Sequence, residues 1–222
     1  MNTPSEPRSS IASYIEHTLL LPDATLSDIE RLCNEAMQFG FIAVCINPCF
    51  VRRSAEVLRA SGVRVCTVIG SPLGCSTTET KVFEAERSLK DGADELDMMI
   101  NLGNVKQGKR PGSDLRVADE IRSVVAAARR RNGTVKVILE TGLLSDDEKV
   151  FACRAAASAG ADFVKTSTSF LGPGATVDDV ALLRATVGST IGVKASGGIR
   201  NLVQARAMIA AGANRIGTSS GV

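Results

Sequence analysis

Short apolar runs of this 222-residue chain carry charges where none is expected. Lys165 lies in DFVKTST, Lys194 in IGVKASGG, Asp97 in ELDMMI and Glu16 in YIEHTLL; Lys136 lies in TVKVILE, which Glu140 closes. An isolated buried charge is too costly to keep unpaired. Several charges of opposite sign, drawn from different strands, can share one interior. With alternating side chains, Lys136 and Glu140 face the same way, as do Phe163 and Lys165. A second ammonium nearby disfavours the charged form of the first, as does partial burial. An amine left neutral near pH 7 attacks carbonyls and forms a Schiff base. Lys165 and Lys194 are the candidates for that chemistry. Asp97, with a solvent or substrate hydroxyl in reach, would handle protons. The alternative is a structural ion cluster with no chemistry.

Two Gly- and Ser-rich stretches add a second kind of chemistry. Lys194 is followed by Ala195, Ser196, Gly197, Gly198 and Ile199, and then by a helical stretch; Gly217, Thr218, Ser219, Ser220 and Gly221 follow near the end of the chain. Backbone N–H groups in such loops, and a helix N-terminus behind them, hold phosphate. Glycine lets the backbone approach the anion closely. Ordinary tight turns are the alternative. Thr166, Ser167, Thr168 and Ser169 offer further donors after the Lys165 run.

The elements that position these residues follow from the apolar pattern. Strands are predicted over 13–19, 41–46, 63–69, 94–100, 134–140, 161–166, 190–194 and 214–217. Helices are predicted near 25–38, 48–60, 77–90, 113–131, 145–158, 176–187 and 200–211. Strands alternating with helices specify an α/β fold with a parallel sheet. Eight strands is the closure number of a TIM (β/α)8 barrel, whose active site forms at the C-terminal strand ends, with phosphate held after strands seven and eight. A doubly wound open sheet is the competing architecture. Residues 1–10 read as a loose tail and 11–222 as a single barrel domain. The sequence stops at Val222, directly after strand eight, so the eighth outer helix is absent from it. Apolar surface is therefore expected between the last helix and the first, weakening stability or making oligomer contacts.

Composition removes several function classes. There are 26 Lys+Arg against 24 Asp+Glu, a net charge of +2, and only 4% aromatic residues, so a nucleic-acid partner is not expected. No apolar run approaches the ~20 residues of a membrane span, and the N-terminus has no apolar signal segment. The six cysteines form no CxxC pair, and Cys45 and Cys49, spaced C-x3-C, lack a second pair to complete a zinc site. Reduced thiols in the cytoplasm are the expectation. Cys45, near the end of strand two, faces the mouth or packs as a small hydrophobe. The single histidine, His17, alternates with Glu16 and should face the helix layer.

The phrases IEHTLL, AVCINP, PLGCSTTETK, DGADELDMMINLG, VKVILETGLL, GADFVKTSTSF, GVKASGGIR and RIGTSSGV span nearly the whole chain. Together they resemble the deoxyribose-phosphate aldolases, Schiff-base aldolases on a β/α barrel. The resemblance implies reversible cleavage of 2-deoxyribose 5-phosphate to glyceraldehyde 3-phosphate and acetaldehyde. It implies Lys165 as the Schiff-base lysine, Lys194 as its neighbouring cation and Asp97 as the proton-transfer acid. Lys136 and Glu16 would complete the charge network, and Gly197, Gly198, Ser219 and Ser220 would contact phosphate. No metal and no organic cofactor is implied. The partners implied are small phosphorylated sugars and aldehydes, with a homodimer as the protein assembly to test. Glu16 stands where the family usually has Asp, Ser169 where it usually has Gly, and Ser71 where it usually has an aromatic residue. Leu171 and Pro173 stand in a stretch that is usually glycine-rich. Another Schiff-base barrel aldolase and a non-catalytic phosphate-ligand barrel are the competing functions. The retained Asp97, Lys165 and Lys194 speak against the latter.

Overall fold

The computed structural model describes residues 11–108 and 113–222, with the side chains of 113–115 outside that description; the tail expected over 1–10 also lies outside it. Strands β1 (Ile15–Leu19), β2 (Ala43–Ile46), β3 (Arg64–Ile69), β4 (Glu95–Met99), β5 (Thr134–Ile138), β6 (Phe163–Lys165), β7 (Gly192–Ser196) and β8 (Arg215–Thr218) pair in parallel, in sequence order. β8 closes on β1 through Ile15↔Ile216 and Glu16↔Gly217. The closed barrel replaces the open-sheet alternative.

The helices are α1 (Leu26–Phe39), α2 (Val51–Val57), α3 (Thr78–Asp91), α4 (Leu102–Gln107), α5 (Ser113–Arg129), α6 (Asp146–Ser158), α7 (Val177–Val187) and α8 (Leu202–Ala210). α1 shows why they form. Thr25 and Asp28 make a capping box that satisfies N-terminal donors. Ile29, Leu32, Cys33 and Ala36 form its buried stripe. Gly40 ends it at φ 68°, a left-handed conformation that costs glycine little, and returns its N–H to Ala36.

Period-two alternation divides every strand between two environments. Val44, Val65, Leu96, Met98, Val135, Val137, Val164, Val193 and Ile216 face outward and join the helices in the main core. Cys45, Cys66 and Val68 form a separate buried cluster inside the barrel.

The differences from the sequence expectation lie at element ends. A 3-10 turn, Ile11–Tyr14, precedes β1. Pro48–Phe50 forms another before a shortened α2. α4 was not expected; six residues are too few to show periodicity, and it is nucleated by Asn101, whose side chain accepts from the Asn104 N–H. Among the described residues no helix follows β8. Ile11, Phe39, Phe41, Leu202 and Ala205 line the resulting cleft of about 350 Å³ between α8 and α1. Phe39 and Leu202 are exposed there, as expected.

Candidate active site

Charged residues gather inside the barrel because they occupy the inward positions of their strands. Asp97 on β4 pairs in register with Lys136 on β5, and Lys165 on β6 with Lys194 on β7. Lys165 is the last residue of its strand, at the C-terminal mouth. Asp97 Oδ2 accepts from Lys165 Nζ at 2.7 Å and from Lys194 Nζ at 2.7 Å. Its Oδ1 accepts from Lys136 Nζ at 3.0 Å and from the Cys66 thiol at 3.1 Å. Lys194 also donates to Glu16 Oε2.

Two members of the cluster escaped the sequence reading. Glu95 Oε2 lies 2.6 Å from Lys136 Nζ. The Arg215 guanidinium bridges Glu16 Oε1 and Glu95 Oε1, each at 3.2 Å. Both carried a signal: Glu95 stands two residues before Asp97, and Arg215 two before Gly217, so each shares its neighbour's inward face. Glu140 departs from its expected place. β5 ends at Ile138, and Glu140 adopts φ 51°. Its carboxylate accepts from the Thr168 N–H at 3.1 Å and from the Thr168 hydroxyl. It therefore clamps the loop after β6 instead of joining Lys136.

Among the described residues, three carboxyl groups (Glu16, Glu95 and Asp97) thus meet three lysine amino groups (Lys136, Lys165 and Lys194) and the Arg215 guanidinium, all buried. Burial alone would raise the Asp97 pKa, but Lys136, Lys165 and Lys194 outweigh it and hold the carboxyl well below the usual range. Glu95 is likewise held down, at about 2, by Lys136 and Arg215 against its own burial. Burial would discharge Lys136 and Lys194, but the surrounding carboxylates raise both. The lysines differ in their ion pairs. Among the described residues, Lys136 lies within 4 Å of three carboxylates and Lys194 of two, whereas Lys165 is paired with Asp97 alone.

Above the cluster lies a pocket of about 320 Å³. Leu20, Ser169, Gly197, Gly198, Arg200, Gly217 and Ser219 line it, with Thr18 and Ser196 at its base. Arg200 was not singled out in the sequence, although it stands two residues after the Gly-Gly turn. Small residues here answer to close contacts. A Cβ on Gly217 would stand 2.7 Å from Ser196 Oγ and 3.1 Å from Lys194 Cε, and one on Gly174 would stand 2.2 Å from the Gly197 carbonyl oxygen. Ser169 holds φ 69°, and its Oγ sits against Gly197. Ser220 is separated from the other three expected phosphate contacts. It lines the cleft between α8 and α1, and its N–H donates to Thr218 Oγ1 at 3.0 Å. Its backbone turns outward after β8, which side-chain type alone could not reveal.

His17 faces outward, as expected. Its Nε2 lies 2.8 Å from Glu35, and its ring packs edge-on to Phe41. Cys45 lies inside the barrel, with its thiol 3.9 Å from Asp97 Oδ2.

Similarity to known proteins points the same way. The sequence model of the DeoC/LacD family of aldolases matches residues 10–222. A protein of a Geobacillus species named deoxyribose-phosphate aldolase is 55% identical over 214 residues, 96% of this chain and 94% of its own length. One of the same name from Thermococcus gammatolerans is 56% identical over 214 residues, 96% of this chain and 93% of its own length. The solved deoxyribose phosphate aldolase of Aeropyrum pernix, described as a tetramer, superposes with a TM-score of 0.87 at 37% identity, covering 95% of this chain and 87% of that one. Matched over almost its full length, and with paired lysines around a carboxylate at the mouth of a closed barrel, the chain belongs to the DeoC/LacD family of aldolases.

Proposed function

We propose that this aldolase cleaves 2-deoxyribose 5-phosphate reversibly to glyceraldehyde 3-phosphate and acetaldehyde, with Lys165 as the Schiff-base residue. The observation that carries the assignment is the unequal pairing of the lysines. Lys136 and Lys194 are held protonated by several carboxylates, whereas Lys165 has one carboxylate partner among the described residues and stands at the mouth.

The open-chain sugar presents its C1 aldehyde to the Lys165 amine. Addition gives a carbinolamine, and loss of water gives an iminium that can accept an electron pair. Removal of the C3 hydroxyl proton forms the new carbonyl and breaks the C2–C3 bond. Glyceraldehyde 3-phosphate leaves, and the bonding electrons remain on Lys165 as an enamine. Protonation at C2 and hydrolysis then release acetaldehyde and restore the amine. Asp97 is held ionised, so it serves as the counter-charge of the iminium and orients the water that relays the proton. Lys194 keeps Asp97 oriented and supplies a second positive charge. Glu16 and Lys136 fix those groups from below.

The phosphate is assigned to the pocket formed by Gly197, Gly198, Ser219 and Arg200. That pocket lies at the loops after β7 and β8, where barrels of this type hold phosphate through backbone N–H groups, which supports the reading. Remote phosphate binding holds the reacting end in place. The cytoplasm is the proposed location, supported by six free cysteines. Among the described residues no helix is long and apolar enough to cross a membrane.

The test is a coupled assay that follows glyceraldehyde 3-phosphate. The expected result is cleavage of 2-deoxyribose 5-phosphate, with a much higher KM for unphosphorylated 2-deoxyribose. Cleavage of a 2-keto-3-deoxy acid in its place would assign the site to a different Schiff-base aldolase.

A further inference from the structure

Glu140 is a fully buried carboxylate that the chemistry above does not use. It stands just past the end of β5 with a left-handed backbone at φ 51°. A residue with a Cβ keeps that conformation only where its surroundings hold it there. The loop after β6 is what it grips. Its two carboxylate oxygens accept from the Thr168 N–H at 3.2 and 3.1 Å, and Oε2 also accepts from the Thr168 hydroxyl. Thr168 Oγ1 in turn accepts from the Phe170 N–H at 3.1 Å. One carboxylate therefore ties down residues 168–170, and all three line the pocket assigned to the phosphate. Ser169, in the middle, rests its Oγ against Gly197, so the place of this loop also sets the width of the pocket at the Gly-Gly turn. Lys165 is secured by other bonds. Its carbonyl accepts from the Leu139 N–H at 2.9 Å. Thr166 donates its N–H to the Lys194 carbonyl at 3.1 Å and its hydroxyl to the Ser196 carbonyl at 2.9 Å. None of these bonds involves the Glu140 side chain.

We propose that Glu140 is the positioning residue for phosphate recognition: its carboxylate holds residues 168–170 as one wall of the pocket, and so sets the preference for a phosphorylated over an unphosphorylated sugar. A carboxylate can accept at both oxygens, whereas an amide of the same shape offers one acceptor and turns an NH2 group towards the Thr168 donors. Losing the carboxylate therefore frees the wall. The cost falls on the part of the substrate that uses this wall, which is the phosphate. A sugar without phosphate makes no such contact and is spared. The reacting end feels the change only through the remote binding energy that the phosphate supplies. A merely structural Glu140 would instead harm both sugars alike. The proposal rests on the assignment of the phosphate to this pocket.

The experiment measures kcat/KM for 2-deoxyribose 5-phosphate and for unphosphorylated 2-deoxyribose, in the full chain and in its Glu140→Gln, Thr168→Val and Thr168→Ser variants. Glu140→Gln is expected to lower the ratio of the two values about tenfold or more. Thr168→Val removes the hydroxyl from a half-buried loop residue and leaves the buried carboxylate in place, so it tests the same contact should Glu140→Gln fail to fold. It is expected to lower the ratio too, and Thr168→Ser, which keeps the hydroxyl, to recover most of the loss. The double variant should be no worse than the worse single one, because both changes act through one contact. Acetaldehyde trapping on Lys165 should persist throughout. A ratio unchanged by Glu140→Gln and Thr168→Val, an equal fall for both sugars, or loss of trapping would overturn the proposal. A wild-type enzyme without preference for the phosphorylated sugar would remove the phosphate assignment and the proposal with it, whereas a wild-type preference that survives the variants removes the proposal alone.

Discussion

Replacing Lys136 with methionine keeps the reach of the side chain and removes its charge. In the native barrel Lys136 Nζ stands 2.6 Å from Glu95, 3.0 Å from Asp97 and 3.4 Å from Glu16, with no exposed surface. The variant leaves three buried carboxylates short of one cation. Breaking a buried ion pair by removing one partner costs about 3–5 kcal/mol. At roughly 2–4 °C per kcal/mol for a domain of this size, the melting temperature should fall by about 6–20 °C. The loss should also depend on pH. Without Lys136, burial is less opposed, and the Glu95 carboxyl moves up from about 2. The native variant can then take up a proton as the pH falls and so relieve the unpaired charge. The difference between wild type and Lys136→Met should therefore be largest near pH 8 and shrink towards pH 5. Urea unfolding of both proteins across that range measures it. A difference under about 1 kcal/mol at pH 8, against the 3–5 kcal/mol of a broken buried pair, or one of constant size across the range, would refute the network as described.

In the wild-type protein, Glu95 is depressed from an ordinary 4.5 to about 2. Its contribution, about 3 kcal/mol, is complete above the unfolded value and is lost as pH falls towards the folded one. Stability to urea should thus hold from pH 8 to 5 and drop between about 4.5 and 2; an unchanged midpoint through that window would contradict the pairing. Gly174→Ala places a Cβ 2.2 Å from the Gly197 carbonyl oxygen. KM for the phosphorylated sugar should rise about tenfold or more, ~1.4 kcal/mol of binding, while acetaldehyde trapping on Lys165 persists; loss of trapping would place the damage in the barrel rather than in the phosphate loop. Ser169 occupies φ 69°. Ser169→Gly should raise stability by up to about 1 kcal/mol, and a fall in thermal midpoint would show that contacts of the serine outweigh its backbone strain.

The barrel was legible in the sequence because its strands are short apolar runs at regular spacing and its helices carry amphipathic stripes. Lys165, Lys194, Asp97, Lys136 and Glu16 stood out because a charge in such a run is anomalous and a period of two fixes its direction. The same rule reaches Glu95 and Arg215, which lie near strand starts and pass for flanking polar residues. Cys66 gives no such signal, since a cysteine in VRVCTVI looks like any small core residue. Its place beside Asp97 depends on the register of β3 against β4. Loop residues were the least legible. Glu140 leaves the strand through a left-handed backbone, and Ser220 turns away from the pocket that Ser219 lines. Neither direction is set by periodicity.

The central claim is that Lys165 is the reacting amine, and trapping tests it most directly. The protein is incubated with acetaldehyde and borohydride and the modified peptide is mapped by mass spectrometry, with Lys165→Ala as the control. A reduced two-carbon adduct on Lys165, absent from the control, is the predicted result. An adduct on Lys194, an adduct spread over surface lysines, or none at all would contradict it.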